Sequence, residues 1–451
     1  MGGKTSRRAH TSVHDAETFL QVAIGHRRGR IGEFLRAALF AGVLAAPVLA
    51  GDAHAQAEFH GYVQGNYTFR TADPDCPPGY DCAVMRADDR MQLTLDLASA
   101  DGRTGAFARV DLFYDGLGDS SGVDAREILA DINLGFLSAR LGRQVITWGL
   151  GDLLFINDVF PKDWVAFLTG APLEYLKLGS DALLVGAYSS SLNAEVVVIP
   201  VFQPDEVPSG SPLFFYDPAP TLTDWTVEKP PVEYQNIQTV GRAYRSFGRY
   251  EAALYASHGF YGTPAARPDD PSAPTSLIFF YPRLLTCGFT FQGPLASGVL
   301  SFEGGYYDSL DDPSGTDPYI VNSQVRGLAA YQMQPWAEAS LSFQYYVEAM
   351  QDYAAYLDAL PPGLAESDEL RQVVTVRLRQ FLLHQTMTTG FFALGSPSDE
   401  DLYVNPFVRY QLTDELWTEV GGNFFSGKEA ATAYGQFEDN SNVYLTARYG
   451  F

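Results

Sequence analysis

Cysteine, positive charge and long apolar runs are all scarce in this chain of 451 residues. It has three cysteines, and 30 lysines and arginines stand against 54 aspartates and glutamates, giving a formal net charge of −24. This charge argues against nucleic acid as a partner. After residue 50 no stretch is apolar for long enough to cross a bilayer as a helix, so any membrane insertion must use strands. Gly-rich phosphate loops and the Cys/His spacings of metal sites are also missing, so we predict no cofactor and no metal.

The N-terminal region has the pattern of an export signal. Arg27, Arg28, Arg30 and Arg36 precede an uncharged apolar run, residues 37–50, which is too short to span a bilayer as a helix. Alanines at 53 and 55 then form an A-x-A cleavage pattern. We predict that residues 1–55 are an N-terminal extension and a cleaved signal peptide, and that 56–451 form one β-barrel domain. An Ala-rich buried helix is the alternative interpretation of the apolar run.

Strict alternation of apolar and polar residues dominates the rest of the sequence. It is clear at 91–97, 106–112, 339–348, 374–379, 402–411 and 442–451. Strands of this kind have one apolar face and one wet face, as lipid-facing strands of a membrane barrel require. A soluble β-sandwich would show the same alternation, but the export signal favours lipid.

The connections between these strands alternate in length. Short turns are predicted near 100–103, 137–139, 190–193, 246–249, 292–297, 334–337, 383–386 and 412–415. Longer polar loops are predicted near 70–86, 115–125, 149–180, 202–233, 261–276, 309–320, 351–370, 396–400 and 426–441. Short periplasmic turns and long external loops are typical of outer-membrane barrels. The sequence therefore predicts an all-β fold, a transmembrane antiparallel up-and-down barrel of about eighteen strands, with about sixteen as the alternative.

The external loops contain two features of their own. Cys76 and Cys82 lie close together in a Pro-rich loop, so a disulfide is predicted there in an oxidising compartment. Cys287 falls in a strand pattern and is predicted to be a small apolar side chain. The loops at 202–233 and 308–317 are rich in acidic residues, which mostly indicates a solvated surface. The sharper alternative is divalent-cation bridging to lipopolysaccharide or attraction of cations to the mouth of the barrel. Because 202–233 is also rich in proline, no strand is predicted there.

Residues 141–164 do not fit either a strand or an exposed loop. They include Trp148, Phe155, Phe160 and Trp164 and are too apolar for an external surface. We predict that 149–164 fold into the lumen and set a constriction. The candidate constriction residues are Arg143, Asp152, Asp158, Lys162 and Asp163.

Several motifs carry a family resemblance. The final Phe451 resembles the C-terminal signature of Gram-negative outer-membrane barrels, which implies recognition by the barrel-assembly machinery. The chain as a whole resembles the porin superfamily, in which a G-R-Q strand precedes an in-folded segment. It is most similar to an uncharacterised branch, a domain of unknown function (DUF1302). The motifs that carry this similarity are Gly142-Arg143-Gln144, Trp148-Gly149, Asp158, Pro161-Lys162-Asp163, Tyr281-Pro282-Arg283 with Glu303, Gln334-Pro335-Trp336, Tyr345-Tyr346-Val347-Glu348 and Gly435-Gln436-Phe437 with Asn440. The resemblance implies a barrel in the bacterial outer membrane and suggests transport.

Charged residues on the wet faces of the strands should line the lumen. These wall charges are Arg90, Arg109, Asp111, Arg377, Arg379, Arg409 and Arg448. One interpretation is a salt-bridge network that stabilises the wall, and the other is a selectivity filter. The aromatic residues of 149–164 are a further alternative, an apolar slide or plug suited to a hydrophobic or aromatic solute.

The predicted function is a porin-like channel for passive diffusion of small solutes. The alternative is a non-conducting structural or docking barrel for a periplasmic partner, such as an exporter or an electron carrier. Catalysis is not predicted, because Ser257 and the adjacent His258 would point to opposite faces of a strand. The expected partners are outer-membrane lipid, lipopolysaccharide and a small-molecule solute; the sequence leaves open whether the barrel is monomeric or trimeric.

Overall fold

The fold is a closed antiparallel β-barrel of 18 strands. A computed structural model describes residues 56–72, 74, 76, 82–209, 213–362 and 364–451. The predicted signal peptide and extension, 1–55, lie outside the described residues. The predicted fold class is confirmed, and of the two predicted strand counts eighteen is correct.

The strands follow one another around the barrel in chain order, and three additional short strands lie in the loops. In chain order they are β1 (Gln56–Arg70), β2 (Val84–Ala98), β3 (Thr104–Asp115), β4 (Ser120–Asn133), β5 (Leu137–Gln144), β6 (Ser180–Ala187), β7 (Asn193–Ile199), β8 (Asp224–Glu228), β9 (Gln238–Phe247), β10 (Tyr250–Phe260), β11 (Ala265–Pro268), β12 (Ser276–Phe280), β13 (Arg283–Leu295), β14 (Gly298–Ser309), β15 (Gln324–Met333), β16 (Ala339–Met350), β17 (Leu370–Leu382), β18 (Met387–Ser396), β19 (Asp401–Gln411), β20 (Leu416–Gly427) and β21 (Asn442–Gly450). Helices are short: α1 (Trp164–Leu168), α2 (Tyr353–Ala359) and 3-10 turns at Leu173–Leu176, Tyr234–Asn236 and Gly435–Asn440. Among the described residues, no helix is long and apolar enough to cross a membrane.

The first and last strands close the barrel. β1 pairs with β21 from Tyr62 opposite Gly450 to Arg70 opposite Asn442. Phe451 extends this ladder, because its backbone N–H and C=O both bond to Gly61, at 2.9 and 3.0 Å. Closure leaves no strand edge exposed to lipid, which is the condition for a β-structure to cross a bilayer.

The two faces of the wall differ as the alternation predicts. On β21, Val443, Leu445 and Tyr449 are exposed on the outside, whereas Tyr444 and Thr446 are buried on the inside. The same outward exposure is seen for Phe59, Val63, Met91, Leu95, Leu112, Phe289, Phe343, Tyr345, Val374, Leu402, Val408 and Tyr410. An apolar outer belt over a polar inner face is the surface that a lipid-embedded barrel needs.

The connections also alternate as predicted, with local differences. The predicted turn at 137–139 was placed too late, because the chain reverses at 134–136, where Gly135 adopts a φ of +85°. The Asn133 side chain accepts a hydrogen bond from the Gly135 N–H, which stabilises this turn. Two predicted long loops, 115–125 and 396–400, are instead tight turns of four residues. β4 begins at Ser120 after β3 ends at Asp115, and β19 begins at Asp401 after β18 ends at Ser396.

A separate three-stranded sheet lies in two of the long loops. β12 pairs with β8 in parallel and with β11 in antiparallel orientation. Trp225 packs edge-on against Phe279, with ring centroids 5.9 Å apart. The expectation of no strand in 202–233 was therefore wrong at Asp224–Glu228. The prolines lie outside these five residues, and pairing with a second loop supplies the hydrogen bonds that the local sequence does not signal.

Cys76 and Cys82 form a disulfide in the loop between β1 and β2, with Cα atoms 6.1 Å apart. Reducing it should leave the barrel assembled, because the β1–β2 ladder runs without it from Gln56 opposite Ala98 to Phe69 opposite Val84. The measurement is the heat-shifted gel mobility of the oxidised and reduced protein. Loss of the folded-barrel band on reduction alone would contradict this prediction.

Candidate functional site

The connection between β5 and β6, residues 145–179, folds into the barrel and crosses its lumen; we call it the in-folded segment. Asp152 forms an ion pair with Arg377 of β17, at 2.8 Å. Strand β17 lies across the barrel from β5 and β6 in the strand order. Further along, the carbonyl of Thr169 accepts a hydrogen bond from Thr68 on β1. The segment therefore contacts widely separated parts of the wall.

Glu303 of β14 is the main polar anchor of the in-folded segment. One carboxylate oxygen accepts from the backbone N–H groups of Leu150 and Gly151, at 2.7 and 3.0 Å. The other accepts from the backbone and side-chain N–H groups of Asn157, at 2.8 and 3.0 Å. Glu303 is 2% exposed, and hydrogen bonds from these four N–H donors compensate for the loss of water around its carboxylate.

Glycines in the inner wall make room for the segment at this anchor. A Cβ on Gly288 would lie 1.9 Å from the side-chain oxygen of Asn157, and one on Gly305 would lie 2.7 Å from a methyl group of Ile156. Tyr307 beside them donates a hydrogen bond to the Ile156 carbonyl. Close backbone approach of this kind is a common reason for glycine within a strand.

Two apolar clusters pack the segment against the wall. In the larger one, Leu154, Ile156 and Leu168 of the segment contact inward residues of β13–β20, chiefly Leu284, Tyr307, Leu328, Tyr346, Val373, Phe392, Leu394, Tyr403 and Phe425. In the smaller one, Ile146, Trp148 and Phe160 contact Ala182, Leu184, Val197, Ile199 and Val240 of β6, β7 and β9. Burying each large apolar side chain contributes on the order of 1.5–3 kcal/mol, so apolar packing holds much of the segment in place.

The distal half of the segment is fixed by a short helix. Asp163 caps α1 by accepting a hydrogen bond from the Ala166 N–H, at 2.7 Å. Beyond the helix, the hydroxyl of Thr169 accepts hydrogen bonds from Arg86 of β2. The 3-10 turn that follows brings Glu174 to Arg448 and Tyr62, so the segment is also tied to β21 and β1.

Buried charges compensate one another within the segment. The Lys162 ammonium donates to the carbonyls of Asp158 and Phe160, at 2.8 and 2.7 Å, and Lys177 pairs with the Asp158 carboxylate. Both ammonium groups also lie over the Phe155 ring. Burial lowers the pKa of Lys177, with Asp158 opposing the shift, and burial raises the pKa of Asp205, which accepts from the Lys162 N–H.

The structure separates the five predicted constriction residues. Asp152 pairs with Arg377 in a part-exposed position inside the lumen, where burial raises the pKa of its carboxyl and Arg377 opposes the shift. Asp158 and Lys162 are buried inside the segment, and Asp163 caps α1. Arg143 makes a two-pronged ion pair with Asp181 on the neighbouring strand β6, at 2.8 and 2.9 Å.

The predicted wall charges mostly have partners. The ion pairs are Arg90 with Asp88 and Asp111, Arg109 with Glu127, Arg377 with Asp152, Arg409 with Glu419 and Arg448 with Glu174. Arg379 lies on the same face of β17 as Arg377, but its side chain is more exposed. Among the described residues, no group of three His, Cys, Asp or Glu side chains is placed to hold a metal ion.

Sequence reasoning did not identify Glu303 as the anchor of the segment. The residue carries one signal: it is the sole charged residue in the strand stretch 299–307, and glycines follow it at 304 and 305. Glu174 was also missed, because an acidic residue in a loop is ordinarily solvated.

Solved structures share this fold at very low sequence identity. OccD3 (OpdP) of Pseudomonas aeruginosa aligns with a TM-score of 0.53 and 10% identity over 91% of this chain and 97% of that one. OccAB3 of Acinetobacter baumannii aligns with a TM-score of 0.52 and 9% identity over 88% and 99%. The outer membrane protein opdK of P. aeruginosa aligns with a TM-score of 0.50 and 8% identity over 88% and 99%. No family model and no curated protein matches the sequence, so the resemblance to the domain of unknown function stays a prediction.

Proposed function

We propose that this protein is an outer-membrane channel for the passive diffusion of small solutes, in which the in-folded segment sets the constriction. The observation that carries this proposal is a closed 18-stranded barrel with a loop anchored inside its lumen at Glu303. Barrels of this width leave a lumen unless other residues fill it, and a loop bound to the inner wall narrows that lumen.

The outer surface and the fold support the location. The exposed apolar side chains of the strands form a lipid-facing surface. The solved structures that share the fold include an outer membrane protein, opdK of Pseudomonas aeruginosa, which favours the bacterial outer membrane as the location. Export of residues 56–451, recognition of Phe451 by assembly machinery and a monomeric or trimeric state remain predictions.

Charge at the segment supports a role in selectivity. Asp152 and Arg377 are about equally exposed, at 28 and 29% of their side chains, so both are available to a solute that passes them. Arg379 continues the basic row on β17. Opposed acidic and basic groups at a constriction orient dipolar solutes, and their balance sets ion preference.

The packing also favours one rival function, a non-conducting structural or docking barrel. The larger apolar cluster fills much of the space between the in-folded segment and β13–β20. A lumen closed by such packing would pass no solute. Ser257 and His258 are not placed as a catalytic pair: Ser257 is buried on the inner face and bonds to Thr286, whereas the adjacent His258 points to the outer face.

Liposome swelling tests the proposed function directly. Vesicles that contain the refolded barrel should swell in isosmotic solutions of small neutral sugars and swell progressively less as the sugar grows. A barrel that is folded by gel mobility but gives the same swelling as empty vesicles would support the docking barrel and overturn the channel.

The Asp152→Asn variant should become more selective for anions. The substitution removes the negative partner of Arg377 and leaves Arg377 and Arg379 facing the lumen. Asparagine has nearly the same size as aspartate, so the packing at residue 152 is kept. The reversal potential under a salt gradient should shift toward the Nernst potential of the anion. We expect the anion-to-cation permeability ratio to rise about twofold. Asp181→Asn is the matched control, because Asp181 pairs with Arg143 within the wall; an equal shift in both variants would contradict a constriction at Asp152.

A further inference from the structure

An aromatic stack lies at the extracellular end of the inner wall. Tyr403 of β19 stacks on Phe425 of β20, with ring centroids 5.1 Å apart and planes within 19°. Tyr434, from the loop between β20 and β21, stacks on Tyr403 at 5.7 Å and 15°. Phe167 of the in-folded segment and Phe392 of β18 meet the Tyr403 ring at steeper angles. Tyr403 is therefore an aromatic platform, and one of its stacking partners comes from an external loop.

The platform belongs to the wall and does not depend on the loop for its position. Tyr403 is 2% exposed, and its hydroxyl donates to the side-chain oxygen of Asn423 at 2.8 Å. Asn423 in turn donates to Asn442 of β21, so three neighbouring strands hold the ring. Removing Tyr434 would thus leave the Tyr403 ring in place.

A buried carboxylate next to the stack has unused hydrogen-bonding capacity. Asp401 is 5% exposed, and its Oδ2 accepts from the Tyr434 backbone N–H at 2.7 Å. Within the described part of the chain, its Oδ1 has no hydrogen bond of normal geometry, and the side chain of Thr432 is the neighbouring polar group. A buried carboxylate oxygen without a donor is costly, so a ligand that brings an N–H or O–H group to it gains a hydrogen bond.

We propose that Tyr403 and Asp401 form a binding site for planar aromatic solutes that carry a hydrogen-bond donor, and that Tyr434 occupies this site in the free protein. Tyr434 is itself the model for the ligand, since it places a phenol ring on Tyr403 and an N–H group on Asp401. Binding requires the Tyr434 loop to leave the stack. This inference rests on the proposed channel, because it gives that channel an entry site for aromatic solutes that carry an amine.

Competition with Tyr434 determines how tightly a solute binds. A solute can bind only while the Tyr434 loop is away from the stack. Its apparent affinity is therefore the intrinsic affinity multiplied by the fraction of the time that the loop is away. Tyr434→Ala should therefore bind more tightly than the natural chain, whereas Tyr403→Leu should not bind, because it lacks the stacking surface. Asp401→Asn should bind more weakly, because it removes the anionic acceptor.

The probe for the test is tyramine, which has the phenol ring of a tyrosine side chain and an amine at the position of the Tyr434 backbone nitrogen. The saturated analogue 4-(2-aminoethyl)cyclohexanol is the non-planar comparison. Binding to the refolded 56–451 chain is measured by calorimetric titration and by saturation-transfer NMR. We expect saturable binding of tyramine, about tenfold tighter in Tyr434→Ala and several-fold weaker in Asp401→Asn. Tyr410→Leu, which changes a lipid-facing tyrosine of the same strand, should bind like the natural chain.

Binding that survives in Tyr403→Leu, or that is equal for the two probes, would overturn the site. Absence of saturable binding in both the natural chain and Tyr434→Ala would also overturn it. These results are independent of conductance, because titration does not need an open pore. A barrel that binds tyramine but does not conduct would instead refute the proposed channel.

Discussion

Deleting residues 152–163 should raise the single-channel conductance about twofold or more, because it removes a large part of the in-folded segment from the lumen. This stretch contains Leu154 and Ile156, which fill the larger apolar cluster, and Asn157, which binds Glu303. Without them the inner wall of β13–β20 faces an open lumen. The measurement is the conductance of single channels of the deletion variant in a planar bilayer.

A deletion of 271–274 is the matched control. These residues lie in an exposed turn between β11 and β12, outside the barrel wall, so their loss should leave the conductance unchanged. Heat-shifted gel mobility verifies that both variants are folded. If the 152–163 deletion folds and conducts like the natural chain, the in-folded segment is not the constriction.

Replacing Glu303 with alanine should release the in-folded segment from the wall. Four N–H groups of the segment would lose a buried charged acceptor, and each unsatisfied group costs about 1–3 kcal/mol. We expect the variant to unfold at a lower temperature and its current to fluctuate between levels. Trypsin should also cut after Lys162, which is 4% exposed in the natural fold.

Glu419→Ala provides the comparison for this second prediction. Glu419 is an inward glutamate of β20 that pairs with Arg409 and makes no hydrogen bond or ion pair with the in-folded segment among the described residues. Its loss should leave Lys162 protected from trypsin. Equal protection of Lys162 in both variants would show that apolar packing alone holds the segment and that Glu303 is not its anchor.

The wall of the barrel could be predicted from the sequence because its pattern is local. Successive side chains of each strand point alternately to lipid and to water. The outward positions of Val443, Leu445 and Tyr449 can therefore be predicted without knowledge of any distant contact. The turns likewise carry their own signals. The error at 137–139 was small because Asn133 and Gly135, which make the turn, lie only a few residues earlier.

The partners of the lumen charges could not be predicted in the same way. Glu303 meets Asn157 across a separation of 146 residues, and no periodicity in either segment indicates the contact. Arg143 was predicted as a constriction residue, and its pairing with Asp181 could not be foreseen, because the strand position of Asp181 depends on where the in-folded segment ends. Such contacts arise from the path of the chain through the lumen, which alternation along the strands does not specify.

The most direct test of the channel is the single-channel conductance of the refolded 56–451 chain in a planar bilayer under a salt gradient. We expect a steady conductance with a defined reversal potential, whose sign reports the balance between Asp152 and the arginines of β17. A barrel that is folded by gel mobility and gives no conductance at any applied voltage would contradict it and indicate a closed structural or docking barrel.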